Sequence, residues 1–282
     1  MIEETVALGP VDVGRSMFMS RVGPGDPTAT LTETSLVKVF SVGAGVARVT
    51  LKKVKGGLRV SVEGDLHGPE LTAWLDALRQ GDDIQSFDAP HPYLKKLHRA
   101  SPGLRVLPVP WLFETAVSSI LQQRVKFRDA TREYTRLAQL HGQRTALGIS
   151  FPSAAVVAKL PTWEIERVGV DKRRARAIVQ LAREEHFRSF LRPATTHAEL
   201  RRRLLAVRGV GPWTTDMIMG FGAGDRDALP LGDLHLPHLV SWIIEREPRG
   251  TDAHMVKLLE PYRGHRFRVV RLLLSSRVSV PR

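Results

Sequence analysis

Two short stretches hold residue types whose spacing suits chemistry. The first, 204–221, reads LLAVRGVGPWTTDMIMGF. A helical pattern ends at Val207 and Arg208, Gly209-Val210-Gly211 reverses the chain, and Pro212 opens a second helix at a first-turn position that needs no N–H. Glycines at 209 and 211 permit positive φ and let a ligand reach the backbone without meeting a Cβ. The N–H groups of such a hairpin, and of the next helix's first turn, point outward and suit an anion such as phosphate. The plainer alternative is a tight turn between packed helices. The second stretch, 228–238, reads ALPLGDLHLPH and sets Asp233 among apolar residues in a short connection. A carboxylate there costs free energy unless it caps, pairs or reacts. It can cap the helix that begins near His235 and still face a ligand. His235 and His238 stand i, i+3, but without neighbouring acids or cysteines they make a poor zinc site.

The surroundings of these stretches are basic. The 282 residues carry 42 Lys+Arg against 29 Asp+Glu, a net charge of +13. Residues 1–105 hold 13 of the cations and 12 of the acids, whereas 106–282 hold 29 and 17, a net of +12. Such a field attracts polyanions, of which nucleic acid is the commonest inside cells, although arginine also decorates solvated faces. The absence of cysteine excludes disulfides, thiolate nucleophiles, Cys-ligated zinc and an iron–sulfur cluster in this chain. The opening residues lack a signal-peptide pattern and no run approaches the roughly 18 apolar residues of a membrane span. The expectation is a soluble, cytoplasmic, nucleoid-associated protein with no membrane partner.

Elements that would position the two stretches follow from periodicity. Alternation over 35–42, 46–54 and 58–63, with glycine turns between, predicts antiparallel strands, and 17–22 is a candidate fourth. A helix over 69–80 follows. From Pro110 the period becomes helical. Phe113, Val117, Ile120 and Leu121 form one stripe, and Phe127, Ala130, Tyr134, Leu137 and Ala138 another. Further helices are predicted at 161–168, 173–186, 197–207, 212–221, 235–245, 252–262 and 266–275, with a capping box at Thr196 and Glu199. The fold class is α+β: a small N-terminal antiparallel sheet domain with flanking helices (1–105), then an all-helical domain (106–282) holding the helix–hairpin–helix and the Asp233 loop.

The order of ILQQRV at 120–125, the LLAVRGVGPWT hairpin and the downstream Asp233 resembles the helix–hairpin–helix-GPD DNA glycosylases. Among these the chain is most similar to the AlkA-like 3-methyladenine DNA glycosylase II branch. The resemblance spans about 85–275 by motif, including PYRGH at 261–265, and extends loosely to the N-terminal sheet.

That resemblance implies an enzyme of base excision repair that flips a damaged nucleotide from duplex DNA and hydrolyses its N-glycosidic bond. Its preferred bases would be alkylated purines of the 3-methyladenine or 7-methylguanine type. It assigns Asp233 to the carboxylate beside the sugar, with Gly232 where a second acid often precedes it. Arg124, with Gln123 beside it, takes the wedge position, where the best-known members have leucine. The alternative is that Arg124 lies on a solvated helix face. DNA contacts fall to Gln123, Arg124, Arg208, Gly209, Val210, Gly211 and Thr214. Trp213 occupies the position of the lyase lysine, so no AP-lyase activity is expected. Its indole suits stacking on a cationic base. Met217 and Arg271 stand where the branch has a pocket tyrosine and tryptophan. Trp111 and Phe113 are either pocket walls or core. No cofactor is required, and backbone carbonyls of Leu205, Val207 and Val210 would hold a structural Na+ or K+. The chain would act as a monomer on double-stranded DNA. Competing readings are a glycosylase for deaminated or oxidised purines, a non-catalytic hairpin binder of damaged or branched DNA, and a helix-turn-helix regulator using the basic Lys172, Arg173, Arg174 and Arg176.

Overall fold

The computed structural model describes residues 1–184, 195–276 and 278–281. Alternating apolar residues build an antiparallel sheet from β1 (Ile2–Ala7), β2 (Ala29–Leu31), β3 (Ser35–Val42), β4 (Gly45–Val54) and β5 (Gly57–Gly64), in the order β1-β5-β4-β3-β2. One face buries Leu36, Phe40, Val49, Leu51 and Val60 against Leu71, Trp74, Leu75 and Leu78 of α2 (Gly68–Gln80). The expected strand over 17–22 is not one. A short helix α1 (Val13–Ser16) runs into a single 3-10 turn at Phe18–Ser20. Val13, Met17 and Ser20 are buried at helical spacing, which a strand's alternation cannot match. The strand that closes the sheet is β1, which lies at the sheet edge. It crosses β5 so closely that a Cβ on Gly57 would fall 2.0 Å from the Val6 carbonyl oxygen.

The remainder is mostly helical: α3 (Pro92–Ala100), α4 (Leu112–Leu121), α5 (Phe127–His141), α6 (Ala154–Val157), α7 (Thr162–Glu166), α8 (Lys172–Arg183), α9 (His197–Ala206), α10 (Pro212–Phe221), α11 (Leu236–Glu245), α12 (Asp252–Leu258) and α13 (Arg266–Ser275). Four corrections arise. A two-stranded hairpin, Arg144–Thr145 with Gly148–Ile149, interrupts the all-helical pattern and packs near β3. The helix expected over 252–262 breaks, because Pro261 has no N–H to donate and Glu260–Tyr262 turns as a 3-10 segment. Phe127 sits in the first turn of α5 and is 49% exposed, outside the buried stripe that begins at Ala130. The 173–186 helix is seen from Lys172 to Arg183, and its expected end lies outside the described residues.

Three apolar clusters form. One belongs to the sheet and reaches Leu107, Val109 and Trp111; a second joins α4, α5, α8, α9 and α10. The third joins Phe87, Leu94 and Leu104 to Leu236, Val240 and Ile243 of α11 and Val269 and Leu272 of α13. The third cluster thus combines residues from both sides of position 105.

Sheet and helices are also joined through a buried ionic knot. Lys38 of β3, 1% exposed, donates to Glu114 Oε1 of α4 at 2.7 Å and to Thr28 Oγ1 at 2.6 Å. Tyr134 of α5 bonds to the same Glu114 oxygen, and Asp26 lies 4.0 Å from the ammonium. Burial raises the Glu114 carboxyl above its ordinary range, with Lys38 opposing the rise. Removing one partner strands a buried charge. We therefore expect Lys38→Met to cost about 3–5 kcal/mol in urea unfolding, and the Lys38→Met/Glu114→Leu double variant to recover much of that loss. A small loss for the single variant would show the knot to be dispensable.

Candidate active site

The connection from α10 to α11 is held so that Asp233 projects at the start of α11. Gly232, at φ +88°, takes the left-handed turn that glycine adopts without strain, and its N–H donates to Asp252 Oδ2 at 2.8 Å. Asp233 Oδ1 accepts from the His235 and Leu236 N–H groups at 2.8 and 2.9 Å; the N-cap itself is His235, and Asp233 braces the entry to α11 from two residues before it. Asp233 Oδ2 accepts from Trp213 Nε1 at 2.8 Å. Three N–H donors therefore face one half-exposed carboxylate, with no cation paired to it among the described residues. Asp252 escapes sequence reasoning, because nothing local links the first turn of α12 to Gly232.

Trp213 comes from the helix–hairpin–helix formed by α9, Gly209-Val210-Gly211 and α10. Gly209 has φ +95°, and a Cβ there would meet Ala177 of α8 at 2.9 Å, so the hairpin packs directly on α8. The Val210 N–H donates to the Val207 carbonyl at 3.0 Å and closes the turn. Val207 and Val210 are buried, while Leu205, Arg208 and Gly211 are exposed. The first-turn N–H groups of α10 have no intrahelical acceptor.

Facing the hairpin is the loop after α4. Its Arg124 is exposed and lies at φ +55°, a left-handed conformation uncommon for a side-chain-bearing residue. Beside it, Gln123 Nε2 donates to the Gly209 carbonyl at 2.9 Å and to Thr214 Oγ1 at 2.8 Å. Behind it, the buried Arg174 donates to the Leu121 carbonyl at 2.6 Å while paired with Glu133 at 2.7 Å and Asp171 at 2.5 Å. Arg174 therefore belongs to the interior, whereas its neighbours Lys172, Arg173 and Arg176 are exposed. Its place on the stripe with Ile178 and Leu181 is the signal that separates it from them. Among the described residues no carboxylate pairs with Arg124, Lys126, Arg208, Lys172, Arg173 or Arg176, and the segments that carry them touch through Leu121, Gly209 and Ala177.

The residues assigned to a pocket differ in burial. Trp111 is 4% exposed, edge-on to Phe40 with ring centroids 5.4 Å apart, and belongs to the sheet's core. Phe113 and Met217 are half-buried against the helical core. Arg271 is buried with its guanidinium 4.9 Å from the Phe18 ring and 4.7 Å from that of Phe221. It donates to the carbonyls of Arg15 and Ser16, and burial, with Arg268 nearby, lowers its pKa to about 9. It fastens α13 to α1. His238 Nδ1 accepts the Gly250 N–H at 3.0 Å, which commits that ring nitrogen, and no cluster able to hold a metal occurs among the described side chains.

A sheet-backed helical body, a glycine hairpin between two helices and a helix-bracing aspartate beyond it define a helix–hairpin–helix repair fold. Residues 117–263 match the HhH-GPD superfamily of base excision DNA repair proteins, and the chain belongs to that superfamily. It is 32% identical over 151 residues to a Mycobacterium tuberculosis protein named probable bifunctional transcriptional activator/DNA repair enzyme AlkA, covering 51% of this chain but 30% of that one. It is 22% identical over 199 residues to the Bacillus subtilis DNA-3-methyladenine glycosylase, covering 67% of this chain and 65% of the relative. A 3-methyladenine DNA-glycosylase structure from Archaeoglobus fulgidus superposes with a TM-score of 0.75 at 17% identity, covering 98% of this chain and 99% of that one. The α+β architecture is thus that of the family. No helix among the described residues is long and apolar enough to cross a membrane.

The bracing role predicts a graded stability series. Asp233→Ala should lose about 1 kcal/mol in denaturant unfolding, whereas Asp233→Asn, which keeps the Oδ1 acceptor but turns an NH2 toward the Trp213 N–H, should lose part of that. Equal losses would remove the brace as the reason for the loop's geometry.

Proposed function

We propose that this chain is a monofunctional DNA glycosylase that releases alkylated purines, of the 3-methyladenine or 7-methylguanine type, from duplex DNA. The observation that carries the reading is the Asp233 carboxylate, fixed by the entry to α11 and by Trp213, which follows the glycine hairpin. The membership of the base excision superfamily supports it, as do the names of the relatives.

A carboxylate offers about four lone-pair sites. Three of these receive N–H donors here, and the fourth stays open to a sugar C1′ or to an attacking water. As the glycosidic bond lengthens, positive charge grows on the sugar, and a fixed anion stabilises that transition state more than the ground state. A cationic alkylated base already leaves readily, so no general acid has to protonate it. Nearby Asp216 fits this economy, since it is buried and bonded to Arg201. Trp213 spends its indole N–H on Asp233, and its half-exposed ring remains available to stack on an electron-poor base. Since Trp213 stands where a lyase would carry its amine, the abasic strand is left uncut.

The unpaired cations Arg124, Lys126, Arg208, Lys172, Arg173 and Arg176 would meet the phosphates, with Arg124 filling the gap left by the flipped nucleotide. The carbonyls of Leu205, Val207 and Val210 suit a hard monovalent cation, Val207 keeping one lone pair beyond its bond to the Val210 N–H. Such an ion would add positive charge at the hairpin. A single copy of the chain in the cytoplasm would act on duplex DNA at the nucleoid.

On a duplex with one 3-methyladenine, the wild type should release free base and leave a strand that breaks only after alkali. Asp233→Asn should fold and bind DNA while releasing base at least about a hundredfold more slowly. Near-normal turnover by that variant removes Asp233 from catalysis, and a borohydride-trapped covalent adduct overturns the monofunctional assignment.

A further inference from the structure

Resting on the glycosylase reading, we propose that Gln123 is a positioning residue that ties the Arg124 loop to the hairpin and thereby sets Arg124 at a fixed separation from Asp233. A glutamine amide has two N–H donors. Here both are used inside the protein, one on the Gly209 carbonyl and one on Thr214 Oγ1. The amide nitrogen is therefore not available to a phosphate, which separates Gln123 from the exposed cations around it. Thr214 is the neighbour of Trp213, whose indole holds Asp233. A continuous chain of contacts thus runs from Arg124 through Gln123, Thr214 and Trp213 to Asp233.

The loop needs this support because its backbone is unfavourable by itself. Arg124 at φ +55° would relax toward an ordinary conformation if its flanks were loose. The preceding flank is fixed twice, since Arg174 holds the Leu121 carbonyl and Gln123 holds the hairpin. Of these two, only the Gln123 bonds reach the hairpin and α10, the element that carries Trp213, the indole partner of Asp233. Glutamate could bond Thr214 but would set an anion against the Gly209 carbonyl, and methionine has the reach but no donor. A side chain that fills a gap in duplex DNA helps the reaction only if the extruded sugar then meets the carboxylate, and small misplacements are costly.

The test is Gln123→Met, measured with two readouts. The first is single-turnover base release from one 3-methyladenine in a duplex and in a single strand, where there is no opposite-strand gap to fill. We expect the duplex rate to fall at least about tenfold and the single-strand rate to change by less than about twofold. The second is independent of catalysis: fluorescence of 2-aminopurine placed opposite an abasic site, which rises when a side chain unstacks it. The variant should bind this duplex yet give a weaker rise. Thr214→Val, which leaves the Gly209 bond intact, should lose less, and the Gln123→Met/Thr214→Val pair should lose little more than Gln123→Met alone. Equal falls in duplex and single-strand release would mark general damage to the site and overturn the proposal. So would a loss of affinity for undamaged duplex with a shallower salt slope, which marks a direct phosphate contact, or wild-type behaviour in both readouts. A wild type that gives the fluorescence rise but releases no base sinks the glycosylase reading while the fluorescence comparison still decides the tie. A wild type that gives neither signal overturns both.

Discussion

A half-exposed carboxylate with no arginine or lysine paired to it has to be held in place by other groups. Asp233 meets that constraint with three N–H dipoles, from His235 just before α11, from Leu236 at its start and from the Trp213 indole. In the proposed reaction such dipoles would hold the carboxylate without a full counter-charge to cancel its field toward a developing cation. The arrangement works only if two separately packed bodies agree in position. Trp213 starts a helix seated in the second apolar cluster through Ile218 and Met219, whereas α11 is seated in the third through Leu236 and Val240. The site therefore lies at a seam between cores, a common location for ligand sites.

Other polar groups keep those bodies in register. The Lys38 knot fixes the sheet to α4, and α4 leads directly into the Arg124 loop. On the far side, Arg268 of α13 pairs with Asp82 at 2.8 Å, and Asp82 also accepts the Val106 N–H at 2.8 Å. Arg271, one turn further along α13, anchors α1 through backbone carbonyls and lies over two phenylalanine rings. The sheet and its preceding segment are thus built into the frame of the helical body.

Sequence reasoning reached the parts whose signals are local. The period-2 runs of β3, β4 and β5 and the helical stripe of α10 face single cores, so their spacing reads directly. The glycine hairpin and an acid among apolar residues were visible for the same reason. β1 was hidden because an edge strand buries little, here Val6. α3 was hidden because Leu94 is its one buried residue, among Lys95, Lys96, His98 and Arg99. Trp111 reads as an aromatic near a helix start whether it faces a ligand or Phe40, and only packing separates the two. The bonds that matter most at the site, Trp213 to Asp233 and Gln123 to the hairpin, join distant segments and leave no mark in spacing.

The left-handed backbone at Arg124 has a consequence for how this protein would respond to selection. Holding an arginine in that conformation costs about 1 kcal/mol relative to a residue at ease there. Glycine would relieve the strain, and asparagine would tolerate it better. A laboratory selection for heat resistance alone would therefore favour replacing Arg124 early. The variants it enriched would be sturdier proteins lacking the long cationic side chain at the tip of the loop. On the role proposed for Arg124, stability and use pull in opposite directions at this position.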